Sequence, residues 1–349
     1  MSTYFVTGAT GFVGAALTRR LLAAGHEVRA LGRTETGTGA APNGVHAVSA
    51  SLGDPNRMAE AMRGAEVVFH CAAENSSRAA PNACAWINVA GTENVINAAR
   101  GAGVRRVVHV SCCDATLVNR DRVSWKESHP LGEQPLDAFS RSKLLAEELA
   151  LQASGEAIQV CALRPAWVWG PGDRRMLPAL CREAARGRVQ LCGRGENLVP
   201  TVYVENLVDA LLLAADAETA RGRCYHILDN EVLNAAEFIG QLCSSIGLPA
   251  PARGSFTLAY ARAWLRERLQ QPGLTRADVV RRGRSALFDG SAAANDLGYE
   301  ARLTIAEGME SLAAWAKEIG GPTGIARTER QPATEHEVSA LVRIADAAQ

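Results

Sequence analysis

Gly8, Gly11 and Gly14 stand at GxxGxxG spacing, directly after the β-rich run Tyr4-Phe5-Val6-Thr7 and before an apolar run at helical spacing. Glycine lets the backbone turn tightly and approach a bulky anion, and the free N–H groups of a helix start attract negative charge. Between a strand and a helix this pattern predicts a dinucleotide site, with the pyrophosphate resting on Gly8, Thr10, Gly11, Phe12, Val13 and Gly14. The bland alternative is that the glycines serve only tight helix–strand packing. About 20 residues past such a loop, at the end of the second strand, an acid normally bonds a ribose 2′-hydroxyl. Here the sequence reads Leu31-Gly32-Arg33. A guanidinium pairs with a 2′-phosphate that a carboxylate would repel, so NADP (NADPH) is expected in preference to NAD. Arg29 or Arg57 could share that role; the alternative leaves Arg33 as an ordinary surface residue.

These residues need elements to hold them. Leu17, Leu21 and Leu22 predict a helix ended by Gly25. Glu27-Val28-Arg29-Ala30-Leu31, then 45–48, Val67-Val68-Phe69-His70 and Val107-Val108-His109-Val110 read as four further strands, with helices at 58–63 and 87–100. Strands alternating with helices imply an α/β fold, a doubly wound parallel sheet covered on both faces. Further on, a helix to about Gln152, a strand at 159–163 with the turn Arg164-Pro165, helices at 177–186 and within 202–213, and a strand at 224–228 are expected. Eight arginines between Arg253 and Arg284 face only Glu267 and Asp278; they read either as a solvated helical face or as a lid drawing in an anionic cofactor or substrate. Gly320-Gly321-Pro322-Thr323-Gly324 reads as a flexible break. Thr334-Glu335-His336-Glu337 then forms a capping box for a tail helix with Val338, Leu341, Val342 and Ala345 on one face, to be buried against the body or a second subunit.

Composition narrows the partners. The chain has 349 residues, 47% of them hydrophobic, with 37 Lys+Arg balanced by 37 Asp+Glu. That balance lacks the basic field of a nucleic-acid or acidic-membrane binder and points to a small molecule. No apolar run is long enough for a bilayer span, and the glycine motif starts too early to leave room for a secretory signal. Nine cysteines without paired CxxC spacing fit neither a disulfide framework nor a zinc site, so reduced thiols, a cytoplasmic location and no metal are expected.

The first strand-turn-helix, Phe69-His70-Cys71-Ala72-Ala73, the run Asn88-Val89-Ala90-Gly91-Thr92-Glu93-Asn94-Val95, and Leu163-Arg164-Pro165 followed by Gly170-Pro171-Gly172-Asp173 resemble the extended short-chain dehydrogenase/reductases. Val202-Tyr203-Val204-Glu205-Asn206 and Asp296-Leu297-Gly298-Tyr299 are most similar to the 3β-hydroxysteroid dehydrogenase and 2-alkyl-3-oxoalkanoate reductase branch. The resemblance implies a Rossmann core over 1–165 with returning segments at 200–230, a smaller C-terminal substrate-binding region over 166–320, and a linker with tail helix over 321–349. It further implies Ser51 and Leu52 at the adenine, Ser51 replacing a usual Asp, and Ala72 and Ala73 lining the cofactor cleft. Pro165 to Val168 would flank the nicotinamide. Glu74, Cys113, Trp169 and Tyr203 would face the substrate, with Trp125 and Trp167 as further candidates for an apolar wall. A homodimer through helices at 87–100 and 138–152 is also implied.

The family's reaction centre joins a Ser or Thr after the fifth strand to a YxxxK pair. This chain departs twice: Phe139 stands at the Tyr position and Cys113 at the Ser position. Lys143 remains, on the same helix face as Phe139, and by resemblance holds the nicotinamide ribose. Positioned acid–base help is worth about 10² to 10⁴ in rate, and phenylalanine supplies none of it. Three readings stand. One is an NADPH-dependent ketoreductase of a fatty, steroid-like or polycyclic ketone whose proton comes from a Lys143-ordered water or a substrate hydroxyl, ranked ahead of Cys113. The second is an NADP-binding protein without redox chemistry. The third is an ordinary reductase with an engineered Tyr-to-Phe change.

Overall fold

The structure, a computed structural model, describes residues 1–32, 43–131, 134–187 and 189–329. Arg33 and the tail segment from 334 onward lie outside these. The chain runs β1 (Thr3–Thr7), α1 (Phe12–Ala23), β2 (Glu27–Gly32), β3 (His46–Ser49), α2 (Pro55–Met62), β4 (Val67–His70), α3 (Pro81–Cys84), a π-turn (Ala85–Ala90), α4 (Gly91–Gly101) and β5 (Arg106–Val110). A 3₁₀ turn (Cys113–Thr116), β6 (Arg122–Trp125), α5 (Ala138–Gln152), β7 (Gln159–Pro165), β8 (Trp167–Trp169), α6 (Met176–Ala185), β9 (Leu198–Val199) and β10 (Thr201–Tyr203) follow. The rest is α7 (Val204–Asp216), a 3₁₀ turn (Glu218–Ala220), β11 (Cys224–Ile227), β12 (Leu233–Asn234), α8 (Ala235–Ser245), α9 (Phe256–Arg268), α10 (Arg276–Gly283), β13 (Ala286–Phe288), α11 (Ser291–Leu297), α12 (Ile305–Glu318) and α13 (Gly321–Arg327).

Seven strands form one sheet in the order β11-β7-β5-β4-β1-β2-β3, and every pairing in it is parallel. Chain direction reverses its march between β1 and β4, which opens a crevice beyond their carboxyl ends. Alternation along each strand splits the core in two. Val6, Phe69, Val108 and Cys161 pack on one face with Leu17, Leu21, Leu207 and Leu211; Phe5, Val68, Val107 and Val160 pack on the other with Met58, Met62, Val95 and Ile96. A sheet buried on both faces accounts for strands of near-continuous apolar character.

The short pairs β8–β10, β9–β12 and β6–β13 build the rim over the carboxyl ends of the main strands. Asp229 ties that rim together, accepting from the Trp169 indole, Thr201 Oγ1, the Tyr203 amide and Asn206 Nδ2 at 2.9 to 3.1 Å. The glycine-rich stretch 320–324 is not a break. Gly320 at φ +91° caps α13, which opens on Gly321-Pro322 and buries Ile325. Proline in the first turn suits a helix start, which a reading of Gly and Pro as loop residues overlooked.

Candidate functional site

The loop between β1 and α1 is shaped by backbone-to-backbone approach. Gly8 sits at φ +71°, and a Cβ there would lie 2.7 Å from the Ala72 amide nitrogen. At Gly14 a Cβ would lie 2.2 Å from the Gly8 carbonyl oxygen. Packing therefore demands glycine at both positions, while Gly11, Phe12, Val13 and Gly14 also line an open cleft. Gly11 caps α1 without a side-chain hydrogen bond, and the first turn holds no acid. Uncapped amides at the positive end of a 12-residue helix, facing a cleft, fit an anion such as a pyrophosphate. Arg174 donates to the Thr10 carbonyl at 3.0 Å and adds a cation at the same place.

The cleft has a volume of about 1240 Å³, above the roughly 300–1,000 Å³ of a pocket for one drug-sized ligand. Its lining carries ten Lys and Arg side chains against six Asp and Glu, although the whole chain is neutral. Lys143 and Phe139 stand one turn apart on α5, whose first turn is capped by Asp137 accepting from the Ser140 amide. Lys143 Nζ donates to the Val110 carbonyl at 2.7 Å, and burial pulls its pKa down to about 8. The Phe139 ring is held beneath the Arg281 guanidinium, 5.5 Å away; Arg281 pairs with Asp137 at 2.8 Å and donates to Ser140 Oγ at 2.8 Å. Phenylalanine here is a packed cleft wall with no proton to give.

Behind the cleft lie two neutral histidines. Parallel register places His70 beside Thr7 and His109. The His70 ring nitrogens lie 2.7 Å from Thr7 Oγ1 and 2.9 Å from Thr92 Oγ1, and burial drives its pKa to about 3. His109, 5.3 Å away ring to ring, is likewise held far below the usual histidine range by burial, with Lys143 adding to it. The π-turn aims buried Asn88 at both sides of the site: it accepts from the Glu74 amide at 2.8 Å and donates to Ser142 Oγ at 2.8 Å. Single π-turns inside helices often mark such positions.

Several expected contacts stand elsewhere. Cys113 is fully buried among Leu117, Ala286 and Phe288, its thiol donating to the Arg164 carbonyl at 3.0 Å, and burial pushes its pKa well up. The 3₁₀ turn beginning at Cys113 rotates that side chain away from the cleft and leaves Ser111, Cys112 and Asp114 lining it. Trp169 and Tyr203 belong to the core, rings 4.9 Å apart, and Trp125 stacks on His129 under Arg122. Among the tryptophans named, only Trp167 reaches the cleft. Glu74, Ala73, Pro165 and Val168 line it as expected, whereas Ala72 does not; its amide donates to Thr7 Oγ1 at 3.2 Å. Ser51 and Leu52 follow β3, outside the lining; Ser51 Oγ accepts from the Gly53 amide.

The arginine-rich segment divides between its two readings. Arg262, Arg266, Arg281 and Arg282 line the cleft, while Arg276 pairs with Glu267 and Arg284 lies on the Phe256 ring. Asp114 and Arg174 are cleft residues that spacing alone did not single out, although each directly follows a motif that did. All nine cysteines are free thiols. Among the described residues no cluster of His, Cys, Asp and Glu could hold a metal, and no helix is long and apolar enough to cross a membrane.

Residues 4–227 match the model of the NAD dependent epimerase/dehydratase family. The chain is 32% identical to the 2-alkyl-3-oxoalkanoate reductase of Shewanella oneidensis, covering 90% of this chain and 86% of the relative. It is 33% identical to the 4-hydroxy-2-methyl-3-oxo-4-farnesyl-3,4-dihydroquinoline-1-oxide ketoreductase of Stigmatella aurantiaca, covering 92% and 97%. Among solved structures, MoeE5 in complex with UDP-glucose and NAD is similar with a TM-score of 0.71 and 26% identity, over 91% of this chain and 99% of that one.

Proposed function

The chain belongs to the NAD dependent epimerase/dehydratase family, within the extended short-chain dehydrogenase/reductases, and is an oxidoreductase; we propose that it is an NADPH-dependent reductase of an apolar ketone. The observation that carries this reading is the single cleft that joins the uncapped start of α1 to Lys143 and to an apolar wall of Leu117, Phe139, Trp167 and Met176. Relatives named for fatty and farnesylated oxo compounds support that substrate class. Residues 166–320 would form most of the substrate side, and the Arg33 guanidinium would select the 2′-phosphate.

When bound, reduced nicotinamide supplies a hydride. The protein must supply position and a proton. Lys143 has one N–H committed to the Val110 carbonyl and two left for ribose hydroxyls. Asp114 is our candidate for the proton donor that Phe139 cannot be. It lines the cleft with Lys143 and Phe139, none of the hydrogen bonds or ion pairs among the described residues engages its carboxyl, and burial raises its pKa against the pull of Arg281. Cys112 is a poorer donor, its thiol pushed up to about 12 by burial. Cys113 drops out because its thiol is turned from the cleft.

A second reading, binding without redox chemistry, draws on Phe139 itself. The test is NADPH binding by fluorescence, then its oxidation with a panel of apolar ketones, for the chain and for Phe139→Tyr. Binding with turnover that changes less than about tenfold in Phe139→Tyr supports the reductase. Binding without turnover supports the second reading, and a gain on the order of 10² or more marks an ordinary reductase that has lost its tyrosine. The free thiols support a cytoplasmic location, and Leu145, exposed on α5, supports pairing of two copies through that helix.

A further inference from the structure

Helix α9 is amphipathic in reverse. Its inner face, Phe256, Tyr260 and Ala263, packs with Cys192, Leu274 and Val279. Leu258, Leu265 and Leu269 follow at i, i+7 and i+11 on the opposite face, where they are 50%, 51% and 57% exposed. Arg268 borders this stripe on one side, stacked 5.6 Å over the ring of Trp264, which is 47% exposed on the flank beyond it. Arg262 and Arg266 border it on the other, and no ion pair among the described residues engages them. The one acid of the segment, Glu267, is used up beneath by Arg276 at 2.6 Å. Large apolar side chains are thus held in water beside three cations, in a chain whose charges balance overall. Leu258, Arg262 and Arg266 also line the cleft, so the stripe is continuous with its mouth.

We infer that α9 docks the protein on an anionic phospholipid surface, its exposed leucines entering the headgroup boundary and the bordering arginines meeting lipid phosphates. Leucines on one face with arginines at its borders is a composition of helices that lie in a bilayer interface. Charge decides against a second copy of the chain as occupant: a two-fold contact would set the arginine stripe against itself, with no acid on the face to offset it. An anionic bilayer offers apolar depth and negative charge together. Docking there turns the cleft mouth toward the membrane, where an apolar ketone would partition. The docking itself does not depend on which reaction the cleft performs.

The experiment is flotation of the full chain with phosphatidylcholine vesicles and with phosphatidylcholine–phosphatidylglycerol vesicles, beside the double variant Leu265→Glu, Leu269→Glu and the variant Arg268→Gln. None of these three residues lines the cleft, so NADPH binding measured in parallel reports that each variant is folded. Expected is flotation with the anionic vesicles only, lost in high salt, weakened more than tenfold in the double variant and about fivefold in Arg268→Gln. Absence of flotation with anionic vesicles overturns the proposal, as does flotation unchanged in the double variant. A concentration-dependent dimer abolished by Leu265→Glu, Leu269→Glu without any flotation also overturns it, by assigning the stripe to a second copy.

Discussion

In the proposed reading, Phe139 and Asp114 divide what one tyrosine would do. The Phe139 ring forms the wall beside Lys143 under Arg281, and the Asp114 carboxyl on the neighbouring turn would carry the exchangeable proton. Asp114→Asn should therefore lower the reduction rate by about 10² to 10⁴ with NADPH affinity nearly unchanged, as measured by steady-state kinetics beside fluorescence titration. The sign of the pH dependence follows from the role. An acid works only while protonated, so kcat should fall as pH rises through the raised Asp114 pKa, and Asp114→Asn should lose that step. A second fall near pH 8, where Lys143 gives up its charge, should persist in that variant. An unchanged kcat profile in Asp114→Asn would return the proton to water. The resemblance places Cys113 at the family's Ser position, but side-chain direction after a strand depends on the turn that follows. A 3₁₀ turn starting there leaves no signal in residue type, and the adjacent acid was hidden behind two cysteines.

The elements that hold these residues rest on a few contacts without slack. Gly14→Ala would drive a Cβ into the Gly8 carbonyl, so α1 must shift; a loss of about 2 kcal/mol or more in denaturant unfolding, with loss of NADPH binding, is expected. Glu147 and Arg164 form a fully buried pair at 2.5 and 2.8 Å between α5 and β7. Removing one partner of such a pair costs about 3 to 5 kcal/mol, so Glu147→Leu should lower the denaturant midpoint strongly by leaving the guanidinium alone in the core. Elements with strict periodicity were legible before any coordinates: β1, β4, β5 and β7 by their apolar runs, and α1 by its leucine spacing. Less was legible where periodicity and burial part ways. The arginines of α9 and α10 share one composition, yet Arg281 and Arg282 of α10 enter the cleft while Arg276 at its start stays on the surface, paired with Glu267 of α9. Trp169 and Tyr203 looked like pocket residues because aromatics line pockets as readily as cores; the Asp229 hub that buries them is assembled from distant segments.

At the scale of the whole molecule, strand order does the decisive work. Placing β4 and β2 on opposite sides of β1 brings Gly11, Ala73 and Lys143 to one crevice, and the rim strands close its other side. The alternation of strands and helices announced this sheet, because only a right-handed parallel crossover satisfies it; the rim of β6, β8, β9, β10, β12 and β13 was not announced, since strands of two to four residues carry little pattern. A ligand that binds only the folded chain stabilises it by mass action, so NADPH at about 100 times its Kd should raise unfolding free energy by about 2.7 kcal/mol in thermal or denaturant melts. The most direct measurement is calorimetric titration of the purified chain with NADPH and with NADH. The account predicts one nucleotide per chain and NADPH bound at least about tenfold more tightly, a difference of roughly 1.4 kcal/mol. No heat with either nucleotide would contradict it.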